Sequence, residues 1–158
     1  MREAVELRPA GPADDELLFR IYASTRAQEL AVLAWDGPAE EEFLRGQFAA
    51  QRASYERYPG RSDQIVLVGG EPAGRLCLAR GEREIAVVDI ALLPRFRGRG
   101  VGSALLRDVL DEAAAAGKRV RIHVERSNPA LRLYQRLGFR VVADLGVYLR
   151  LDYVKTAS

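Results

Sequence analysis

The sequence predicts an α/β protein built on one mixed sheet of about seven strands flanked by about four helices. Three observations carry that prediction. Period-two apolar segments and helical 3.6-residue patterns both occur, so strands and helices share the chain. Their order, β-α-α-β-β-β-α-β-α-β-β, lacks the regular alternation of a purely parallel sheet. The 158 residues, 48% hydrophobic and 29% charged, suit one domain over 1–158 with a single sizeable core.

Each element has its own signal. "VELRPA", Val5 to Ala10, alternates apolar and polar residues as a short strand does. "GPADD" is a turn that offers Asp14 as the cap of a helix through "ELLFRIYASTRAQEL". "WDGP" interrupts, and Pro38 suits the first turn of a second helix, "AEEEFLRGQFAAQRASYERY", which "PGRSD" ends. "QIVLVGGEPAGRLCLAR" reads as a hairpin with Gly69, Gly70, Glu71 and Pro72 at its turn. "REIAVVDIALL" is apolar enough to be a central strand covered on both faces. A helix through "GSALLRDVLDEAAAA" follows, with Gly117 placed to terminate it. "RVRIHVE" is a strand and "NPALRLYQRLG" a short helix. "FRVVADLGVYLRLDY" gives two final strands joined near Leu145 and Gly146, where an exposed edge would suit a second copy in a homodimer.

Composition excludes several classes. A formal net charge of +2 is too small to argue for nucleic acid as a partner. Cys77 is the sole cysteine, so neither an intramolecular disulfide nor a cysteine-built metal site is expected, and no metal is invoked. The N-terminal stretch lacks the apolar core of a secretory signal, and no run approaches the roughly 18 apolar residues of a membrane span. The expectation is a cytoplasmic protein with no membrane contact.

"LLPRFRGRGVGSALL", Leu92 to Leu106, places three arginines and three glycines in front of a helix. Strand, glycine-rich loop and helix N-terminus together make an anion site, because unpaired N–H groups point outward and the helix dipole favours negative charge. The loop lacks the Gly-Lys-Ser/Thr ending of an NTPase phosphate loop. It also fails the Gly-x-Gly-x-x-Gly dinucleotide fingerprint, since the third glycine position falls on Ser103 or Leu105 in the two available frames.

What remains, Arg97-x-x-Gly100-x-Gly102, resembles the acetyl-CoA pyrophosphate loop of the GNAT superfamily of N-acetyltransferases. A second stretch, "NPALRLYQRLGF" from Asn128 to Phe139, resembles that family's other signature, an Asn followed by Leu-Tyr and then Gly-Phe. The two stand one strand apart, in the family's order, with Asn128 six residues before Tyr134 where many members have seven.

The resemblance implies acetyl-CoA as acyl donor and a small-molecule or peptide amine as acceptor, joined by direct attack. It implies that Arg97, Gly98, Arg99, Gly100, Val101, Gly102, Ser103 and Ala104 hold the pyrophosphate, and that Asn128 belongs to the donor site. Ala91, Leu92 and Leu93 would lie along the pantetheine arm, and a bulge within Ile90 to Leu92 would free a backbone N–H to polarise the thioester carbonyl. Tyr134 takes the role of general acid, protonating the departing CoA thiolate; a core tyrosine with its hydroxyl tied to backbone is the structural alternative.

The amine's partner has several candidates. Asp89 stands in an otherwise apolar strand, where a carboxylate is either functional or paired to an arginine such as Arg75 or Arg121. Glu84 reads as a solvated turn residue. His123, the one histidine, has a suitable pKa, but a lone strand histidine is more often packed than catalytic. Glu29 and Trp35, in and after the first helix, are the candidate acceptor-binding residues. Two other readings are a catalytically silent acyl-CoA sensor of the same fold and a basic nucleic-acid binder using Arg95, Arg97, Arg99, Arg119 and Arg121.

Overall fold

In a computed structural model, which describes residues 4–31 and 37–153 apart from the side chains of 28, 29 and 31, the elements follow the predicted order. They are β1 (Val5–Pro9), α1 (Asp15–Ala31), α2 (Gly37–Tyr55), β2 (Arg61–Val68), β3 (Glu71–Arg80), β4 (Glu84–Leu92), α3 (Val101–Ala116), β5 (Arg119–Glu125), α4 (Leu131–Leu137), β6 (Phe139–Asp144) and β7 (Tyr148–Tyr153). The seven strands form one sheet in the order β1-β2-β3-β4-β5-β7-β6. Only β4 and β5 run parallel, joined by the α3 crossover; the other neighbours are antiparallel.

Strand periodicity sorts side chains onto two faces. One face carries Val66, Leu76, Leu78, Ile85, Val87, Ile122 and Leu151, packed with Leu105, Leu106 and Val109 of α3 and Tyr134 of α4. The other carries Ile65 under Leu18, Phe19 and Tyr22 of α1 and Leu44 and Phe48 of α2. The helices of these two layers hold the two halves of the site described below. Gly117 takes φ 68°, and its N–H bonds back to the Ala113 and Ala114 carbonyls, ending α3 as its sequence predicts.

Several boundaries and contacts differ from the sequence reading. Asp14 lies in a short 3-10 turn, Pro12–Asp14, and reaches backward rather than capping α1. Its carboxylate accepts the Gly11 N–H at 2.8 Å and the Arg8 guanidinium at 2.8 Å, which hold it near a pKa of about 2. α2 stops at Tyr55, and Asp63, read as part of the turn after it, belongs to β2. The β2–β3 turn needs only Gly69 and Gly70, at φ 57° and 82°, so Glu71 and Pro72 start β3. Glu84 is no turn residue. It opens β4 and lies 3.6 Å from Arg121 and 3.8 Å from Arg119.

One irregularity organises the site. Along β3 and β4 the register runs Cys77 to Asp89 and then Leu78 to Val87, so Val88 is an extra residue on β4. An inserted residue reverses which face later side chains take. Ile85 and Val87 face the α3 core before it; Ile90 and Leu92 face that core after it. Asp89 and Ala91 are thereby turned to the α1 side, where both line the same cavity. The bulge lies just before the window expected from sequence, Ile90 to Leu92.

Candidate active site

The bulge also ends the pairing of β4 with β5. Glu84–Val87 pairs with Arg119–Ile122, and beyond that point β4 bonds only β3 while β5 bonds only β7. The Leu93 N–H donates to the Ala73 carbonyl at 2.8 Å. Antiparallel ladders alternate, so Leu93, Ala91 and Asp89 direct their backbone groups at β3. Ile90 and Leu92 direct theirs into the split, leaving an open strand edge able to receive an extended ligand. The Leu92 carbonyl there accepts the Arg97 Nε at 2.9 Å.

At the end of β4 the arginine–glycine loop turns into α3. Gly98 and Gly100 take φ 73° and 80°, conformations that side-chain-bearing residues rarely adopt. The Arg97 and Ala104 N–H groups already donate, to the Pro94 and Gly100 carbonyls. Among the described residues, the N–H groups of Gly98, Gly100, Val101, Gly102 and Ser103 have no backbone partner, and they form the donor surface at the positive end of α3. A Cβ added at Gly98 or Gly100 would meet open space, and one at Gly102 would meet only Leu133, at 3.7 Å. The loop's charges are partly spoken for: Arg95 pairs with Glu71, Arg99 lies over the Phe96 ring, and Arg97 also reaches Ser24 of α1 at 3.3 Å.

Tyr134 sits on α4 with its ring buried edge-on against Phe139, centroids 6.2 Å apart. Among the described residues its hydroxyl has no hydrogen-bond partner, so the alternative of a tyrosine tied to backbone is not what the structure contains. Burial pushes its pKa up to about 12, and the charge of Asp89 adds to the shift. Asp89 and Tyr134 therefore act on each other electrostatically, although they arrive on different elements.

The Asp89 carboxylate looks into a cavity of about 30 Å³ between α1 and the sheet, bounded by Leu18, Ile21, Tyr22, Thr25, Gln51, Arg75 and Ala91. That space holds a water or two. Arg75 is 3.7 Å from Asp89, but its principal partner is Asp63, at 2.6 and 3.0 Å, with Gln51 at 3.5 Å. Of the two arginines the sequence offered Asp89, Arg121 is absorbed by Asp152 at 2.9 Å. Burial pushes the Asp89 pKa up to about 6; the Asp63 charge adds, while Arg75, the Tyr55 hydroxyl and the Ile90 N–H oppose. A carboxylate held near neutrality in a cleft is suited to accept or hold a proton.

The remaining sequence candidates lie elsewhere. Asn128 is exposed, and its side-chain oxygen accepts the Ala130 N–H at 2.8 Å in a turn that leads into α4. His123 on β5 is exposed at the surface of the sheet, and partial desolvation of its ring, then Arg121 and Arg150, lower its pKa. Trp35 lies outside the described residues, as does the side chain of Glu29. Sequence reasoning missed Asp63, Gln51 and Tyr55. The available signal was parity: Asp63 is two residues before Ile65 on β2 and so shares the face of Arg75. α1 is tied to both sides of the split, through Ser24 to Arg97 and through Arg26 to Glu125 at 3.0 Å.

Among the described residues, no helix is long and apolar enough to cross a membrane, and no cluster of three or more His, Cys, Asp or Glu side chains is placed to hold a metal. The acetyltransferase (GNAT) family model matches residues 25–139, from the middle of α1 to the start of β6. An uncharacterized N-acetyltransferase of Mycobacterium tuberculosis is 33% identical over 113 residues, covering 67% of this chain and 72% of that protein. The mycothiol acetyltransferase of Nocardia farcinica is 35% identical over 100 residues, 53% of this chain but only 32% of that longer relative. The crystal structure of PaiA N-acetyltransferase from Thermoplasma acidophilum in complex with coenzyme A superposes with a TM-score of 0.70 at 16% identity, covering 94% of this chain and 98% of that one. An acetyltransferase from Thermus thermophilus gives 0.63 at 26% identity, with 96% and 98% covered.

Proposed function

The chain belongs to the GNAT family of acetyltransferases, and from that premise we propose that it transfers an acetyl group from acetyl-CoA to a primary amine by direct attack. The observation that carries the reading is the parting of β4 from β5 at Val88, with the arginine–glycine loop at one end and Asp89 and Tyr134 beside it. Acetyl-CoA supplies the activated thioester. The N–H groups of Gly98 and of Gly100 to Ser103 take the diphosphate, and glycine at 98, 100 and 102 leaves room for it. The open edge at Ile90 and Leu92 pairs with the extended arm, and one of these N–H groups polarises the carbonyl. A donor aimed at developing negative charge contributes about 3 kcal/mol.

Asp89 receives the acceptor. An alkyl ammonium of pKa about 10 costs on the order of 4 kcal/mol to neutralise at pH 7. A carboxylate raised to about 6 holds the ammonium and takes its proton, directly or through water in the adjoining cavity. Tyr134, protonated throughout the working range, donates its hydroxyl proton to the departing thiolate. Glu29 and Trp35 belong to the acceptor side in this reading.

The test is release of free CoA thiol from acetyl-CoA with a panel of primary amines. Amine-dependent release is expected. Tight acetyl-CoA binding with no release on any amine would instead make the protein a silent acyl-CoA sensor.

A further inference from the structure

Past the split, the sheet face that carries Asp89 is open: His123 is exposed and Tyr148 is 48% exposed. The registers set one row of residues across this face. Asp63, Cys77 and Asp89 lie opposite one another on β2, β3 and β4. On the far side of the split, His123 of β5, one residue past the last residue paired with β4, stands opposite Arg150 of β7.

Arg150 departs from the way this protein treats its sheltered arginines. Arg8, Arg26, Arg52, Arg75 and Arg121 are each at least half-buried, and each holds a carboxylate at 2.6–3.2 Å. Arg150 is half-buried too, its Nε is enclosed without a hydrogen-bond partner, and no described carboxylate lies within ion-pair distance. The nearby acids are committed elsewhere: Asp152 to Arg121, Glu125 to Arg26, and Asp144 to Arg126. A sheltered guanidinium without an anion is unfavourable unless an anion arrives. Tyr148, two residues from Arg150, interacts electrostatically with Tyr55, which faces Asp89, so β7 reaches the acceptor side of the site.

We propose that Arg150, with His123 beside it, binds the carboxylate of an amino-acid-type acceptor whose amine is held at Asp89. The proposal rests on the acetyl-transfer reading for the role of Asp89 and adds the acceptor's second charge. Where the strands still pair, β4 and β7 stand two strand steps apart, about 10 Å between backbones, and the split widens that span at Asp89. That spacing suits an amine and a carboxylate separated by a few methylenes. Arg150 matches a carboxylate with its planar fork of donors.

His123 is the only histidine in the chain, so its imidazole NMR signals are unambiguous. Partial burial of the ring sets its titration first, and the charges facing it are Arg121 and Arg150, which lower it, and Glu84 and Asp152, which raise it. δ-Aminovalerate, titrated without acyl donor, is expected to move and saturate the His123 signals and to raise its titration midpoint, while n-pentylamine leaves them in place. Arg150→Gln should weaken the δ-aminovalerate response about tenfold or more, and Arg150→Lys, which keeps the charge but loses the fork, should fall between the two. In the transfer assay, kcat/KM for δ-aminovalerate should exceed that for n-pentylamine about tenfold, a preference that Arg150→Gln removes. No response of His123 in the wild type, or an equal response in Arg150→Gln, overturns the proposal. Transfer to both amines without that response would sink the carboxylate site alone. A saturating response with no transfer to any amine would keep the site and remove the acetyl-transfer reading.

Discussion

Replacing Asp89 by asparagine is expected to slow the reaction and stabilise the fold together. The carboxyl pKa stands near 6 in the folded protein against an ordinary 3.8. At 1.36 kcal/mol per pKa unit that is about 3 kcal/mol, reduced to about 2 kcal/mol because the side chain is 22% exposed. The folded state binds this proton more tightly than the unfolded chain does. The associated stability is complete below about pH 3.8 and is lost as the pH rises through about 6. Asparagine mimics the protonated form, and Arg75 keeps Asp63 and Gln51 as partners in its presence. Urea denaturation should therefore find Asp89→Asn about 2 kcal/mol more stable than wild type at pH 7.5, with the gap closing toward pH 4. In the transfer assay wild-type kcat/KM should fall about tenfold per pH unit below pH 6, and the variant should lose that limb and run about 100-fold slower at pH 7.5. A variant less stable than wild type at pH 7.5 would refute the reasoning, because the Arg75–Asp89 contact would then be a net structural bond.

Other consequences follow from the same geometry. Tyr134→Phe should cut kcat about 100-fold and leave acetyl-CoA affinity and urea midpoint near wild type, since the hydroxyl has no protein partner among the described residues; an unchanged rate would remove Tyr134 as the acid. Gly102→Val should fold normally, its Cβ meeting only Leu133 at 3.7 Å, yet lose acetyl-CoA binding in a calorimeter. Gly100→Val should lose binding as well and melt lower, by about 1–2 kcal/mol, because valine must hold φ near 80°. Leu151→Ala, at a fully buried position in the sheet, should cost about 2–5 kcal/mol in chemical denaturation.

Much of this architecture is written in local patterns. Alternation in "RVRIHVE" marks β5, Gly117 stops α3, and the arginines and glycines around Gly100 lie where a helix begins. The bulge is a different matter. Val87 and Val88 are identical side chains, and nothing in "IAVVDIAL" says which of them the ladder skips, because register is settled between strands. That one residue decides whether Asp89 enters the α3 core or the cavity under α1. The choice of Arg75 over Arg121 depends on it too, since parity and neighbours become known only once the strands are ordered. Asp63 looked like loop because "PGRSD" is rich in turn formers, and pairing with β3 overrides that preference. Arg150 gave no signal among so many arginines; its distinction lies in the carboxylates its neighbours have already taken.

Binding of an acyl-CoA by the arginine–glycine loop and the β4–β5 split is the central claim. Calorimetric titration of the protein with acetyl-CoA, repeated with dephospho-CoA, with a short DNA duplex and on Gly102→Val, tests that directly. Saturable one-site binding of acetyl-CoA, retained for dephospho-CoA because the diphosphate is intact and absent from the duplex and the variant, is the predicted result. Heat from the duplex alone, with none from acetyl-CoA, would contradict the account and make the loop arginines a patch for phosphate backbone.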